Sequence, residues 1–566
     1  VSNLNRTTGQ DGCRSTVQVN CRFIELEERE IKYIWQKPDI YEGLKTDDIW
    51  LIYGRKGSGK STIVDYLEKQ NHDRKVVIIR PEEDDIFKEA MTTILADLSI
   101  NAIEDERLIE EGVISTLEFL FLTKAADAIL PNIERKFLPP GSDIEKMYSF
   151  FVANHMNRGS IISRAIDIVC EISDSEKMSI IPNFARLLNK KVGSVTFKEF
   201  KQALYGHLKS EDTKLLICLD DIDGIGFSFS PSDRLFVDSI IALGARSNIA
   251  TAKNKRNLSY LIAIPSEVFF HSRLYGEDWV DTKTECLSWV GGQSLVELVN
   301  KRIAVEFNIK KKQPRYDGDI YSIESANTWA SLFPPRVYNK LGGTEPTFSY
   351  ILRHTFYTPR HLLTIIDDLL KDIEVNEKKL STIKSYYDEQ DWSRHFQTII
   401  ENFTLQSEKV FSDTFSKLYD GFEELLEKFQ SRPNIWMREM LLAYFRENEI
   451  FVVRKDDKEI IQGESLVYLL QRLGMLGLAV RKVTSDRPPY AYNLRFSFME
   501  KQASRKPWEI AVICPLFYDA HNILPFNNNP VIPHEPLMLG SQDFQRLSSY
   551  NHKNNVFLHK GRSFNR

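Results

Sequence analysis

The sequence predicts an α/β fold in which a parallel sheet carries a helical insertion and is followed by a helical lid and a smaller C-terminal domain. Three observations support this reading. Short apolar runs at Asp48–Tyr53, Val76–Ile79, Leu215–Leu219 and Leu261–Ile264 alternate with helical stretches, as buried parallel strands covered on both faces do. After residue 270 such runs give way to apolar residues at helical spacing: Leu295, Val299 and Ile303, then Leu362, Ile366, Leu369 and Ile373. Near the C-terminus Tyr490, Tyr492, Leu494, Phe496 and Phe498 alternate with small or polar residues, the period of a half-buried strand.

Taken in order, residues 1–45 form an N-terminal arm that includes a charged helical stretch, ELEEREIKYIW, and residues 46–270 form the core. Within the core, about 85–212 reads as mostly helical and is longer than a usual crossover between parallel strands, so it is an insertion, broken by the turn at Pro139-Pro140-Gly141. A helix over 232–245 precedes the fourth strand, and 271–371 is the all-helical lid. Residues 372–430 hold 13 acidic and 7 basic residues, net −6, and read as a solvated helical connector. The balance reverses over 431–505, with 13 basic and 9 acidic residues, net +4, and 506–566 is a tail rich in Asn, Pro and His.

Composition narrows the function classes. The 566 residues are 42% hydrophobic and 27% charged, enough for several cores and unlike a disordered chain. A net charge of −5 gives no overall field for wrapping nucleic acid or holding an anionic membrane. The six cysteines are scattered without a C-x-x-C pair, which predicts reduced thiols and no zinc site. No uncharged run of membrane-spanning length occurs, so a cytoplasmic protein with no membrane partner is expected.

The chemistry lies at Gly54-Arg55-Lys56-Gly57-Ser58-Gly59-Lys60-Ser61-Thr62, which satisfies G-x-x-x-x-G-K-[ST] between a predicted strand and a predicted helix. In a phosphate-binding loop the glycines let backbone N–H groups turn toward the β-phosphate at the positive end of the helix. Lys60 then bridges the β- and γ-phosphates, and Ser61 binds Mg²⁺. The run Leu215-Leu216-Ile217-Cys218-Leu219-Asp220-Asp221 supplies the second strand such a site needs. Asp220 is expected to hold Mg²⁺ through water and Asp221 to polarise the attacking water, with Asp223 as the next choice. The sheet is accordingly a P-loop NTPase sheet, and the 76–79 strand lying between the two motifs predicts one with an added central strand.

GRKGSGKS, LLICLDDID and the later Thr358-Pro359-Arg360-His361-Leu362-Leu363 together resemble the AAA-like, STAND and KAP-type P-loop ATPases of bacteria, including those found beside antiviral defence genes. The resemblance spans about 46–372 and implies an ATPase core, a helical lid and a winged-helix module. It also implies slow hydrolysis, because the doubled Asp is similar to STAND proteins, in which nucleotide acts as a switch. From it come a γ-phosphate sensor at Ser266, a lid arginine at Arg360 that points back to the nucleotide, and Arg273 and Arg302 as weaker candidates for a finger offered to a neighbouring subunit. Arg360 reads equally as an exposed helix-start arginine.

Met437, Met440, Leu441 and Tyr444 share one helical face, and Leu466, Leu469, Leu470 and Leu473 share another. Followed by strand Leu478–Val483, the turn 484–489 and strand Tyr490–Phe498, they resemble a winged helix. Arg481, Lys482 and Arg487 are placed for phosphate contacts. The helix GESLVYLLQRL, in the recognition position of such a module, offers only Arg472 as a cation, so DNA and a docked protein both stay open. The expectation is an ATP- and Mg²⁺-binding, slowly hydrolysing switch that regulates a protein partner or a homo-oligomer. The alternative is a DNA-binding motor or loader.

Overall fold

The computed structural model describes residues 40–548 with breaks, the longest at 157–163 with 166 and 169–194, at 307–332 and at 372–388, with 226–229, 483–488 and 500–506 among the shorter ones. The charged stretch of the N-terminal arm, Ile373, Arg487 and residues 549–566 lie outside the described residues.

The core is a five-stranded parallel sheet of β1 (Leu51–Gly54), β2 (Lys75–Ile79), β3 (Leu215–Leu219), β4 (Leu258–Pro265) and β5 (Thr284–Cys286), in the order β2-β3-β4-β1-β5. The strands β1, β3 and β4 are buried on both faces, the edge strands β2 and β5 only in part, and alternation assigns each residue to a side. Leu51, Tyr53, Leu215, Ile217, Leu219, Tyr260, Ile262 and Ile264 join the larger core, which they share with helix Pro231–Asn254 and the insertion helices. Ile52, Leu216, Cys218, Leu261 and Ala263 face the other way, against Ile63, Val64 and Leu67 of helix Lys60–Gln70. The chain is therefore α/β, with apolar strands of the kind only a doubly covered sheet tolerates.

The insertion between β2 and β3 is helical where described: Asp85–Ile100, Glu106–Ile129, Asp143–Ala153 and Phe197–Ser210. The last starts at a capping box, Thr196 with Glu199, and packs on Asp143–Ala153 through stacked Phe150 and Phe200, ring centroids 4.4 Å apart.

Several expectations are corrected. The expected added central strand is present as β4, between the motif strands β1 and β3, while the 76–79 strand that lies between the motifs in sequence is β2 at the sheet edge; other expectations fail. The 271–371 segment is not all-helical: β5 completes the core sheet, and β6 (Arg336–Tyr338) pairs with β7 (Thr344–Pro346). These strands have three residues each, too few for a periodic signal. The 372–430 segment is not a solvated connector. Its helix Glu389–Phe415 buries Trp392, Phe396, Ile400, Phe403, Phe411 and Phe415, and β8 (Tyr419–Asp420) pairs with β10 (Phe451–Arg454), itself paired with β11 (Ile460–Gln462).

The expected hairpin is present as β12 (Leu476–Arg481) and β13 (Tyr490–Arg495), paired with Ala479 opposite Leu494. It is not a lone wing. The tail supplies β14 (Ile510–Ile513) and β15 (Leu537–Leu539), and with β9 (Ile435–Met437) these form the antiparallel sheet β15-β13-β12-β14-β9. The β10–β11 hairpin also intervenes between helices Arg438–Glu447 and Gly463–Leu473. One hydrophobic core runs from Leu295 and Val299 through helix Pro359–Lys371 and Glu389–Phe415 into this C-terminal sheet.

Candidate functional site

Residues 54–59 leave the C-terminal end of β1 and turn into helix Lys60–Gln70. Gly57 and Gly59 hold φ of 85° and 99°, where a side chain is strained. The turn is closed by Ser58 N–H donating to the Arg55 carbonyl at 3.0 Å and is held from outside by the Trp289 indole, which donates to the Ser58 carbonyl at 2.8 Å.

Lys60 lies buried under this turn, its ammonium donating to the carbonyls of Gly54 at 2.9 Å and Arg55 at 3.3 Å. Burial pushes its pKa below the usual lysine value, against the pull of Glu267, Asp220, Asp223 and Asp221. Beside it the Ser58 hydroxyl is buried with no hydrogen-bond partner. A buried cation and an orphaned hydroxyl under a turn of backbone N–H groups at a helix N-terminus are the donor set an anion such as a phosphate chain takes.

Ser61 opens the same helix and its Oγ donates toward both Asp220, 3.3 Å, and Asp221, 3.2 Å. Asp220 directly follows β3, is fully buried, and accepts from Arg80 Nε at 3.0 Å, while Arg80 also reaches Asp65 at 2.5 Å. Burial and the neighbouring Asp221 carry Asp220 up to about 6, against Arg80. A cation beside Ser61 would reverse that balance. Two carboxylates and a hydroxyl suit Mg²⁺ shared with substrate phosphates, since that ion takes one or two carboxylates and keeps water and phosphate for the rest. Among the described residues no group of three or more His, Cys, Asp or Glu could hold a metal alone.

The structure thus brings together Gly54, Gly57, Ser58, Gly59, Lys60, Ser61, Asp220 and Asp221. It places the other candidates as follows. Asp221 sits in the left-handed region at φ 52° and turns toward Ser61, on the side of Asp220. Asp223 pairs with the exposed Lys56 at 3.1 Å. Thr62 follows on the helix, partly exposed. Arg360 lies over the loop: its N–H donates to the Gly57 carbonyl at 3.2 Å, and a Cβ on Gly57 would stand 2.6 Å from that of Arg360. Ser266 is buried at the start of the short helix after β4. Arg273 is exposed and held by Asp238 at 2.7 Å, and Arg302 is buried.

Arg55 turns away from the loop interior. It donates to the carbonyls of Leu473, 2.5 Å, and Arg472, 3.4 Å, and to Ser497 Oγ, 3.4 Å, and its guanidinium lies over the Phe356 ring at 4.4 Å. It therefore caps the C-terminus of Gly463–Leu473, where a cation meets the negative end of the helix dipole. The pair Arg80–Asp220, Trp289, Glu267 and this role of Arg55 were missed in the sequence. Register is what places Arg80: β2 and β3 pair with Ile79 opposite Leu219, which sets Arg80 beside Asp220.

Among the described residues no helix is long and apolar enough to cross a membrane. No protein-family model matches the chain, and no curated protein does.

Proposed function

We propose that the chain binds ATP with Mg²⁺ at 54–61 and hydrolyses it slowly, and that the nucleotide state sets how the 271–371 segment and the C-terminal domain sit on the core. The observation that supports this best is the convergence of buried Lys60, the orphaned Ser58 hydroxyl and Ser61 facing Asp220 and Asp221. In this reading Lys60 holds the β- and γ-phosphates, Ser61 with Asp220 and Asp221 holds the metal, and Arg360 reads the γ-phosphate from its place over Gly57. Mg²⁺ would neutralise charge developing on the phosphates.

The output is a regulated protein partner or a second copy of the chain, through a winged-helix-like 431–505 region; the place in bacterial antiviral defence rests on the motif resemblance. The geometry favours a protein partner over DNA. Arg438 is paired with Glu464 at 2.9 Å, and the C-terminal end of helix Gly463–Leu473 is docked on Arg55, which leaves that helix little to offer bases.

Lys60→Ala tests the reading. Loss of a charge-assisted contact to two phosphates should lower ATP affinity on the order of a hundredfold or more in an equilibrium titration. Equal affinity in the two proteins would remove the nucleotide assignment.

A further inference from the structure

Four carboxylates surround the loop, and three are committed. Asp220 accepts from Arg80 and Ser61, Asp221 accepts from Ser61, and Asp223 is paired with Lys56. The fourth, Glu267, accepts no hydrogen bond and forms no ion pair among the described residues. Register places it: β4 pairs with β1 so that Pro265 stands opposite Gly54, and Glu267 follows two residues later, at the level of the loop. It lines a cavity of about 450 Å³ together with Arg55, Lys56 and Asp223, a space open to water and closed on its far side by helix Glu389–Phe415. Its charge is also the carboxylate felt most strongly by the Lys60 ammonium and the Arg55 guanidinium.

We infer that Glu267 is the catalytic residue that accepts the proton of the attacking water, the role the sequence assigned to Asp221. The inference rests on the ATP-hydrolysis reading above. As the water oxygen bonds to the γ-phosphorus, the bond from that phosphorus to the bridging oxygen breaks and its electron pair stays on the ADP oxygen. The water proton passes to the Glu267 carboxylate, which releases it to solvent or to the departing phosphate. A carboxylate already engaged by Ser61, or by a lysine, is a poorer acceptor than one facing open water.

The full chain is compared as wild type, Lys60→Ala, Glu267→Gln and Glu267→Asp by ATP titration, by turnover, and by identifying the nucleotide left on the protein after free ligand is removed. Glu267→Gln should bind ATP within about threefold of wild type, lose about a hundredfold or more in turnover, and hold intact ATP where wild type holds ADP. Glu267→Asp should keep ATP affinity and fall in between, and it decides the matter if the Gln variant does not fold. Turnover of Glu267→Gln within about threefold of wild type overturns the inference. So does a loss of ATP affinity beyond tenfold, which would make Glu267 a partner of Lys60 only. Wild type that binds ATP in a Lys60-dependent way without hydrolysing it leaves the binding reading standing and removes the role of Glu267; wild type that ignores Lys60→Ala removes both.

Discussion

His361 sits between Arg360 and the ring of Phe403, and its Nδ1 accepts from the Phe356 N–H at 3.5 Å. Burial, with Arg55 and Arg360 adding to it, carries its pKa down to about 3, and burial likewise lowers His354, whose Nδ1 lies 2.7 Å from the Tyr350 carbonyl. Both are neutral in the fold, while in the unfolded chain each takes a proton near pH 6.5. The folded pKa values are depressed, so the unfolded state binds more protons below that pH and stability falls as pH drops below about 6.5, for His361 as far as about 3, by up to about 1.4 kcal/mol per pH unit for each group. Denaturant midpoints at pH 7.5 and 5 should show the loss, and His361→Gln should make the slope shallower; an unchanged slope would mean that His361 is protonated in the fold. Gly57 gives a second expectation at this scale. Gly57→Ala combines φ of 85° with a Cβ 2.6 Å from that of Arg360, so it should destabilise the loop by about 1–2 kcal/mol from backbone strain alone and loosen the lid helix. Normal exchange protection at 359–363 in that variant would argue against the close approach. Lys60, Ser61, Asp220 and Asp221 were legible because their spacing is local. Arg80 and Glu267 come from residues just beyond β2 and β4, and only strand register brings them to the site.

The elements that the sequence predicted well are those whose signal is internal to them. β1 to β4 and the helices at 60–70 and 231–254 announce themselves by apolar runs or by the motif between them. Helix Glu389–Phe415 was legible as a helix but not as a buried one, since charge counted over a long window hides a stripe of aromatics on one face. β5 and β15 are too short to show a period, and their place is set by the partner they pair with. The cap of Gly463–Leu473 belongs to this scale too. Its C-terminus ends at Gly474, φ 87°, where an added Cβ would meet the Arg55 guanidinium, so helix and loop fit each other only with glycine there. Arg55→Ala should cost about 2 kcal/mol through lost charged hydrogen bonds and should raise amide exchange at 463–473 more than in β2 or β3. Uniform exchange across both regions would show that the contact does not hold the helix.

At the scale of the whole chain, the buried apolar residues among those described fall into three cores rather than six segments. One lies on each face of the sheet, the larger of these two joining it to the insertion, and the third joins the 289–371 region to described residues of the C-terminal part as far as Leu547. Phe356, just before the lid helix, packs on Phe411, Phe498 and Phe517, with ring centroids 5.5 to 6.1 Å apart, and the lid helix itself packs on Glu389–Phe415, so removing the C-terminal part would expose apolar surface on both. A chain ended after Lys371 should therefore self-associate on gel filtration and lose protection in helix Pro359–Lys371, and a monodisperse fragment with native protection would contradict the shared core. The sequence boundary at 371 divides one core because linker composition and packing are different properties. Arg55 joins the loop to the C-terminal core, and that has a thermodynamic corollary. Any ligand that moves the loop and any partner that lifts Gly463–Leu473 from Arg55 act on one equilibrium, so the factor by which the first alters affinity for the second must equal the factor by which the second alters affinity for the first.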